Sequence, residues 1–497
     1  MKIRKRYPRK VREIEHMTIP MTDGTLLAAR MWIPEDAEKS PVPAILEYIP
    51  YRKRDLTAER DVQHHAYIAG FGYASVRVDL RGSGESEGII TDEYLQQELD
   101  DGVEVIQWLS RQKWCTGSVG MIGISWGGFN GLQIAALRPE PLRAIITICS
   151  TDDRYADDVH YMGGCLLGDN LSWASTMFDQ NTHPPDPMLV GERWRDMRME
   201  RLEKSGFWLE TWMRHQHRNH YWKHGSVCEN YTYLDEDLEI LGAPAVELEL
   251  SSNEPVAMVA VRLSDVQPDD KATRITYGLL NLTHRNGHEN PQPLEPGRRY
   301  RIILQLNGVA QRFPKGHRLR LSISTSYWPL AWPPPKPVQL TIYSGTSSLT
   351  LPVRPPRAND KKLRPFADPE GAEPLNTVLV RPREEEWRVI RDLKRDVSTL
   401  EVVLDTGTTR YEDIDLEISS RTVETYGYRA DDYDSLSGET RWERQFSRVD
   451  WLVRTTSRTR LTSNETCFYL RADLDAYEGT SRVYSRSWYN VIPRRLV

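Results

Sequence analysis

The chain has 497 residues, of which 39% are hydrophobic and 27% are charged, and its formal net charge at pH 7 is −6. This length predicts about two to four folded domains. The net negative charge argues against a nucleic acid partner, and no window approaches the run of about 18 apolar residues that a membrane span needs. Five scattered cysteines without CxxC spacing favour neither disulfides nor a zinc site, so we expect a cytoplasmic protein without a metal or cofactor.

Residues 1–150 alternate apolar strand patterns with helical patterns, which is typical of a sheet wound with helices. A basic arm from Lys2 to Arg12 precedes them, and we expect it to lie in solvent. The region therefore predicts the N-terminal part of an α/β domain. The predicted strands are Ala44–Ile49, Ser75–Leu80, Val119–Ile124 and Ala144–Cys149, and the predicted helices are Tyr94–Leu109 and Phe129–Leu137.

Residues 151–230 carry aromatic and apolar residues at helical spacing, which fits a helical cap over an active site and peripheral helices equally well. Residues 231–356 alternate apolar and polar residues between Gly and Pro turns, which predicts a β-sandwich of the jelly-roll type. A Pro-rich linker is expected over 357–374 and further antiparallel β structure over 375–497. The predicted strands of these last two β regions are Ala257–Val266, Thr273–Leu282, Tyr300–Leu306, His317–Ser326, Val338–Ser344, Trp387–Leu393, Leu400–Leu404, Phe446–Arg454 and Cys467–Leu474.

A GxSxG motif, Gly123-Ile124-Ser125-Trp126-Gly127, lies between a predicted strand and a predicted helix. A strand that turns abruptly into a helix strains the serine backbone, and the two glycines leave room for the close approach of the chain. The serine hydroxyl is then presented above the sheet, with the following amides directed at a developing oxyanion. The motif predicts Ser125 as a nucleophile, with an ordinary glycine-rich turn as the alternative.

Two further loops follow strands at the same edge of the predicted sheet. Residues 79–88 read DLRGSGESEG and lack the GKS or GKT ending of a phosphate-binding loop, so we interpret this loop as structural. Tyr51 follows the strand that ends at Ile49, and its hydroxyl is a candidate oxyanion donor beside the Trp126 amide. A tyrosine that only packs at the strand end is the alternative.

The Pro50-Tyr51-Arg52 strand end, the glycine-rich loop, the Gly-Ile-Ser-Trp-Gly-Gly turn and the β-rich second half together resemble the X-Pro dipeptidyl-peptidase and cocaine-esterase family of serine hydrolases. The resemblance implies an α/β-hydrolase domain followed by a jelly roll, and acyl transfer on small esters or on peptides after proline. It also implies Ser125 as the nucleophile, with the Tyr51 hydroxyl and the Trp126 amide as oxyanion donors.

The resemblance further implies an Asp after a Gly-Gly-Trp strand end and a His in a Gly-Pro-Trp-x-His loop, and neither motif is present. A serine hydroxyl is a poor nucleophile unless a His that is oriented by a carboxylate takes its proton. The two missing strand-helix units would need roughly 60 residues, which the chain does not have before the sandwich. We therefore expect an internal deletion near Tyr231 that leaves a truncated sheet with an exposed hydrophobic edge.

Substitutes for the missing residues are few. Asp152 and Asp153 follow the last predicted strand of the sheet and are the best candidates for an acid. Each histidine of the helical segment and the sandwich is expected to be a surface or packing residue rather than the base. These histidines are His160, His215, His217, His220, His224, His284, His288 and His317.

Three hypotheses follow from this sequence. The first is a family hydrolase with impaired activity, and the second is a non-catalytic binding or assembly protein on a degenerate hydrolase scaffold. In the third, another subunit of a homo-oligomer contributes the missing histidine. An active-site serine probe separates the first two, because labelling requires an activated hydroxyl.

Overall fold

The structure is a computed structural model, and it describes residues 1–228, 242–314, 316–353 and 357–497. The predicted deletion near Tyr231 lies outside the described residues. The N-terminal region contains β1 (Lys2–Ile3), β2 (Val11–Pro20), β3 (Leu26–Pro34), β4 (Val42–Ile49), α1 (Ala58–Gly70), β5 (Ala74–Asp79), α2 (Gln96–Ser110), β6 (Cys115–Ile124), α3 (Trp126–Ala136) and β7 (Leu142–Ile148).

Strands β2 to β7 form one six-stranded sheet in the order β2-β3-β5-β4-β6-β7. β2, β3 and β5 pair antiparallel, whereas β5, β4, β6 and β7 pair parallel. Strand β5 is buried along its whole length, and α1 packs on it and on β3. Helices α2 and α3 pack on β6. This arrangement places the carboxyl ends of β4, β5, β6 and β7 at one edge of the sheet.

Strand β7 is the edge strand on one side of this sheet. It pairs with β6, and within the described ranges no further strand pairs with it. Ile146 is 57% exposed and Ile148 is 44% exposed, so apolar side chains lie in solvent along this edge. An exposed edge of this kind is what the sequence predicts for a sheet that lacks its last strands.

The segment after β7 is mainly helical. It contains β8 (Tyr161–Met162), β9 (Cys165–Leu166), α4 (Asp169–Gln180), α5 (Pro187–Val190), α6 (Trp194–Lys204), α7 (Trp208–Arg214) and α8 (His220–Lys223).

Two small antiparallel sheets follow. One has the order β13-β10-β15 with β16 also paired to β10, and the other has the order β12-β11-β14. Their apolar faces share one core, in which Val246 and Leu248 meet Val259 and Val261. The strands are β10 (Ala245–Ser252), β11 (Met258–Val266), β12 (Ala272–Asn281), β13 (Tyr300–Gln305), β14 (Arg318–Ser324), β15 (Leu340–Ile342) and β16 (Ser348–Thr350).

The last region is an eight-stranded antiparallel sheet, which we call the C-terminal sheet. The sequence prediction of one strand over Phe446–Arg454 is wrong, because a tight turn at Val449 and Asp450 separates β22 from β23. After the short β17 (Glu370–Gly371), the sheet consists of β18 (Thr377–Arg381), β19 (Glu384–Asp392), β20 (Val397–Tyr411), β21 (Leu416–Arg429), β22 (Asp432–Arg448), β23 (Trp451–Ser463), β24 (Cys467–Glu478) and β25 (Ser481–Pro493).

The helical segment lies between the six-stranded sheet and the C-terminal sheet. Helix α4 packs on β22 and β23, and α7 packs on β25. The ring centroids of Phe178 and Trp488 are 5.2 Å apart, and the Arg198 guanidinium donates to the main-chain oxygen of Tyr477. A single hydrophobic cluster therefore runs from Trp126 through these helices to Phe468. The C-terminal sheet is part of the same core as the α/β domain.

The basic N-terminal arm is attached at its first residues, although Lys2 and Lys5 keep most of their side chains in solvent, as the sequence predicts. β1 pairs in parallel with β17 inside the predicted linker, and Arg4 donates to Glu370 at 2.8 Å. Arg9 also donates to Asp36 at 2.5 Å. Acidic partners that are distant in sequence explain the docking. In the described ranges no helix has the length and apolar content to cross a bilayer.

Candidate active site

Ser125 lies at the turn between β6 and α3. Its backbone has φ 53° and ψ −120°, a conformation that residues other than glycine rarely adopt. The Ser125 amide donates to the carbonyl of Ile148 at 2.7 Å. A Cβ atom at Gly123 would lie 2.2 Å from the main chain of Gly127, so this turn requires glycine. The strain and the glycines together hold the Ser125 side chain at the carboxyl end of the sheet.

The Tyr51 hydroxyl donates to Ser125 Oγ at 3.2 Å. The Trp126 amide also lies close enough to the Tyr51 phenol to favour its ionised form, so this hydroxyl and this amide lie on the same side of the serine. Burial raises the pKa of Tyr51 to about 12, which keeps the phenol protonated and able to donate at neutral pH. Two donors at this position have the geometry to stabilise negative charge on an oxygen next to Ser125.

A buried charged cluster stands behind Tyr51. Glu93 accepts from His160 at 2.8 Å, from Arg154 at 3.1 Å and from the Trp173 indole at 2.5 Å. Burial opposes ionisation, but these cations lower the pKa of Glu93, and Glu93 raises the pKa of His160. The Trp173 ring lies edge-on to Tyr51 with centroids 6.4 Å apart. The cluster thus fixes the aromatic wall of the site.

Sequence reasoning missed Glu93, Arg154 and Trp173. They lie in three separate segments and match no local motif, so only the fold brings them together. The sequence offers only a weak signal, since Glu93 and Arg154 each follow an aspartate and precede a tyrosine.

Glu98 on α2 supports Trp126, the residue after Ser125. The Trp126 indole donates to Glu98 Oε1 at 2.5 Å, and the carboxyl is almost fully buried. Burial raises the pKa of Glu98 to about 8, so this carboxyl is mostly protonated at neutral pH. Glu98 therefore orients Trp126 without placing a full charge beside Ser125.

The glycine-rich loop over 79–88 supports the strand ends around the site. Ser86 Oγ donates to the carbonyl of Asp79 at 2.8 Å, and Asp79 Oδ1 accepts from the amide of Lys53 at 2.9 Å. The Ser83 hydroxyl bonds to the carbonyl of Pro50, directly before Tyr51. These contacts fit the interpretation of the loop as a structural element.

All twelve histidines lie in the described ranges, and none of them hydrogen-bonds to Ser125 Oγ. Both ring nitrogens of His160 are engaged, Nδ1 with Asn170 and Nε2 with Glu93. His215 pairs with Asn219, and His224 with the carbonyl of Tyr94.

The sandwich histidines are engaged elsewhere. The Nδ1 atoms of His284 and His288 are 3.1 Å apart, with the His217 ring close to His284, whereas His317 contacts Asp265 at 2.9 Å. His220 is exposed on α8. The structure therefore brings none of the candidate histidines to the serine.

Asp152 and Asp153 follow β7, on the side of the sheet where an acid was expected. Asp153 Oδ1 accepts from the amides of Tyr155 and Ala156, and its other oxygen lies 3.3 Å from Arg218. Asp152 accepts from Thr151 at 3.4 Å. Neither carboxylate hydrogen-bonds to a histidine that reaches Ser125 in the described part of the chain.

A cleft of about 310 Å³ opens at the carboxyl end of β7. Its lining includes Cys149, Ser150 and Thr151 from the strand end and Asp157 and Asp158 from the following loop. The Ile148 carbonyl, which accepts a hydrogen bond from the Ser125 amide, belongs to the same strand end. This cleft therefore adjoins the turn that carries Ser125.

Glu47, Asp61 and His65 form the one group of three clustered metal-type donors among the described residues. Arg60 contacts both carboxylates at 2.6–2.8 Å, and Arg77 contacts Asp61 at 3.2 Å. These guanidinium groups already balance the carboxylate charges, so the group acts as a buried ion network under the sheet.

The comparisons with known proteins agree with this architecture. Residues 23–243 match the family model of the X-Pro dipeptidyl-peptidases (S15 family), and residues 195–362 match that of the X-Pro dipeptidyl-peptidase C-terminal non-catalytic domain. Cocaine esterase from Rhodococcus sp. is 34% identical over 162 residues, which is 32% of this chain and 28% of that protein. The chain thus spans less than a third of the length of the curated relatives it matches.

Solved structures share the fold at low identity. An α-amino acid ester hydrolase has a TM-score of 0.53 at 14% identity, and covers 70% of this chain and 97% of its own. An aminopeptidase from a marine sediment archaeon, Thaumarchaeota archaeon, has a TM-score of 0.51 at 14% identity, and covers 66% of this chain and 90% of its own. The two family models together run from residue 23 to residue 362, and with the similarity to cocaine esterase they show that the chain belongs to the X-Pro dipeptidyl-peptidase and cocaine-esterase family of serine hydrolases.

Proposed function

We propose that this protein is a family hydrolase whose nucleophile, Ser125, is presented but not activated, so that acyl transfer on esters or X-Pro amides is strongly reduced. One observation carries the proposal. Ser125 Oγ contacts the Tyr51 hydroxyl at 3.2 Å, while no histidine in the described residues bonds to it. An oxyanion site without a base supports a residual rate of about a thousandfold over water, far below a complete triad.

The alternative function is a non-catalytic binding protein on the same scaffold. The cleft of about 310 Å³ beside the Ser125 turn supports this alternative, because its acidic and hydroxyl side chains offer hydrogen-bond partners to a small ligand. In that case Ser125 has no chemical role, and its replacement leaves every activity unchanged.

A fluorophosphonate probe tests the proposal. We expect slow labelling of the purified chain, and no labelling at this site in Ser125→Ala. Rapid stoichiometric labelling that Ser125→Ala abolishes would overturn the proposal, because it requires an activated hydroxyl. Labelling per chain that rises steeply with protein concentration would also overturn it, since a second subunit would then supply the base.

Chemical rescue separates the proposed hydrolase from the binding protein. Free imidazole can take the place of a missing histidine when a serine and its oxyanion donors are already in position. We expect imidazole to raise the labelling rate in proportion to its concentration, with no effect on Ser125→Ala and a smaller effect on Tyr51→Phe. Equal rates for all three proteins with imidazole would favour the binding protein.

A further inference from the structure

Strand β19 is an open edge of the C-terminal sheet. It pairs antiparallel with β20 over nine residues, from Glu384 opposite Asp405 to Asp392 opposite Val397. On its other side no strand of the described residues pairs with it. In an antiparallel ladder every second residue turns its N–H and C=O away from the partner, so β19 offers a row of free backbone groups.

Among its charged residues, this open edge carries exposed apolar side chains. Trp387 is 73% exposed and Val389 is 78% exposed, and both side chains project from the same face of the strand. Trp387 is the one exposed tryptophan of the fifteen in the chain, all of which lie in the described ranges. A large aromatic side chain in solvent on an unpaired strand marks an interaction surface.

The charges of β19 are complementary to those of a second β19. In antiparallel pairing centred on Trp387, Glu386 of each chain lies opposite the partner's Arg388, and the two Trp387 side chains face each other. Centring the pair on Arg388 instead would set two arginines opposite each other. Charged residues usually protect an edge strand from pairing, but here the order of Glu and Arg favours one register.

Arg388 is prepared for such a contact. Its guanidinium lies 2.9 Å from Glu386 and 2.5 Å from Glu401, and 53% of its side chain is exposed. The partner's Glu386 would join an existing surface network, so no isolated charge is buried. We therefore propose that the chain forms a two-fold dimer through β19, centred on Trp387, which joins two C-terminal sheets into one continuous sheet.

The proposal is independent of catalysis. β19 lies beyond residue 362, where the matched family models end, and it contains no residue of the Ser125 site. Failure of the serine-probe experiments would leave the dimer standing, and a monomeric protein would leave the proposed catalytic state unchanged.

Cysteine cross-linking tests the register. In a Cys149→Ser background, which removes the exposed natural cysteine, we expect Trp387→Cys to form a covalent dimer under mild oxidation or with a short bismaleimide. Val389→Cys is the matched control, because it lies opposite the partner's Glu385 in the proposed register. Cross-linking of Val389→Cys but not of Trp387→Cys would overturn the register.

Sedimentation velocity tests the association itself. We expect a concentration-dependent dimer in the unmodified chain and at least a tenfold larger dissociation constant for Glu386→Arg, which sets Arg opposite the partner's Arg388. Glu384→Arg makes the same charge change opposite the partner's Ile390 and should shift the constant much less. A monomer at every concentration, or equal effects of the two variants, would overturn the proposal.

Discussion

The six-stranded sheet with its loops and the C-terminal sheet differ in where their ion pairs lie. In the loops that follow the strands of the six-stranded sheet, ion pairs lie inside the protein, as in Lys53 with Glu85 at 2.7 Å, where both side chains have 0% exposure. Between strands of the C-terminal sheet they lie on the outer face, as in Arg458 with Glu439 at 2.7 Å, where 41% of the arginine side chain is exposed. The buried pairs of this sheet, Arg444 with Asp179 and Arg448 with Asp186, join it to the helical segment instead. The first sheet holds its loops with buried charge, and the second uses charge to keep one face in water.

This difference follows from what each sheet must position. Lys53 lies in the loop that carries Tyr51, and Glu85 lies in the glycine-rich loop over 79–88. Their contact therefore ties together the strand ends around Ser125. The long strands of the C-terminal sheet only need one apolar face against the helices. Alternation of inward apolar or small polar residues with outward charged residues provides that face.

The sharpest test of the comparison removes one cation from each sheet. Lys53→Met leaves Glu85 buried without its partner, and we expect a loss of about 3–5 kcal/mol in the free energy of unfolding. Arg458→Met on the C-terminal sheet should cost only about 0.2–1 kcal/mol. Urea denaturation measures both, and the double variant Lys53→Met/Glu85→Gln should recover part of the loss. Similar losses for the two single variants would contradict the comparison.

The next test separates the two faces of the C-terminal sheet. Leu470 on β24 is fully buried in the hydrophobic cluster that the C-terminal sheet shares with the α/β domain, whereas its neighbour Arg471 is exposed on the outer face. We expect Leu470→Ala to cost about 2–5 kcal/mol and Arg471→Ala to stay within about 0.5 kcal/mol. Denaturant melts of the two variants provide the measurement. A tolerant Leu470→Ala would mean that the sheet does not share the core of the α/β domain.

Much of the fold could be predicted from the sequence. The strand Val119–Ile124 and the helix Phe129–Leu137 correspond to β6 and α3, because their apolar runs are long and a glycine-rich turn separates them. Strand β21 was missed, since its buried face contains serine and threonine beside a few apolar residues. A strand cannot be recognised from alternating apolar and polar residues when its inward side chains are themselves polar.

The site was only partly accessible to sequence reasoning. Ser125, Tyr51 and Trp126 lie next to one another as expected, because each is tied to a strand end by a local motif. The cluster of Glu93, Arg154 and His160 depends on contacts between segments 61–67 residues apart, and no local pattern encodes them. Long-range pairing, rather than weak propensity, limited the prediction.

A smaller effect concerns the protonated carboxyl under Ser125. The pKa of Glu98 is raised from 4.5 to about 8 by burial, so the folded state loses stability as pH rises from about 4.5 toward 8. Glu98→Gln cannot ionise and keeps an acceptor for the Trp126 indole. We expect its melting temperature to match that of the unmodified chain at pH 5 and to exceed it at pH 9. Asp100→Asn, an exposed change on the same helix, should show no such trend.

The smallest effect on stability is expected at the open edge of the six-stranded sheet. Ile146 on β7 is 57% exposed, so Ile146→Lys should change the free energy of unfolding by no more than about 0.5 kcal/mol. Light scattering during refolding should nevertheless fall, because a lysine on an open edge strand opposes edge-to-edge association. Ile145→Lys is the matched control, since Ile145 packs against the core and a charge there should destabilise the fold. If Ile146→Lys destabilised the protein as strongly as Ile145→Lys, the edge would have to be covered in the folded state, and the truncated sheet would have a partner.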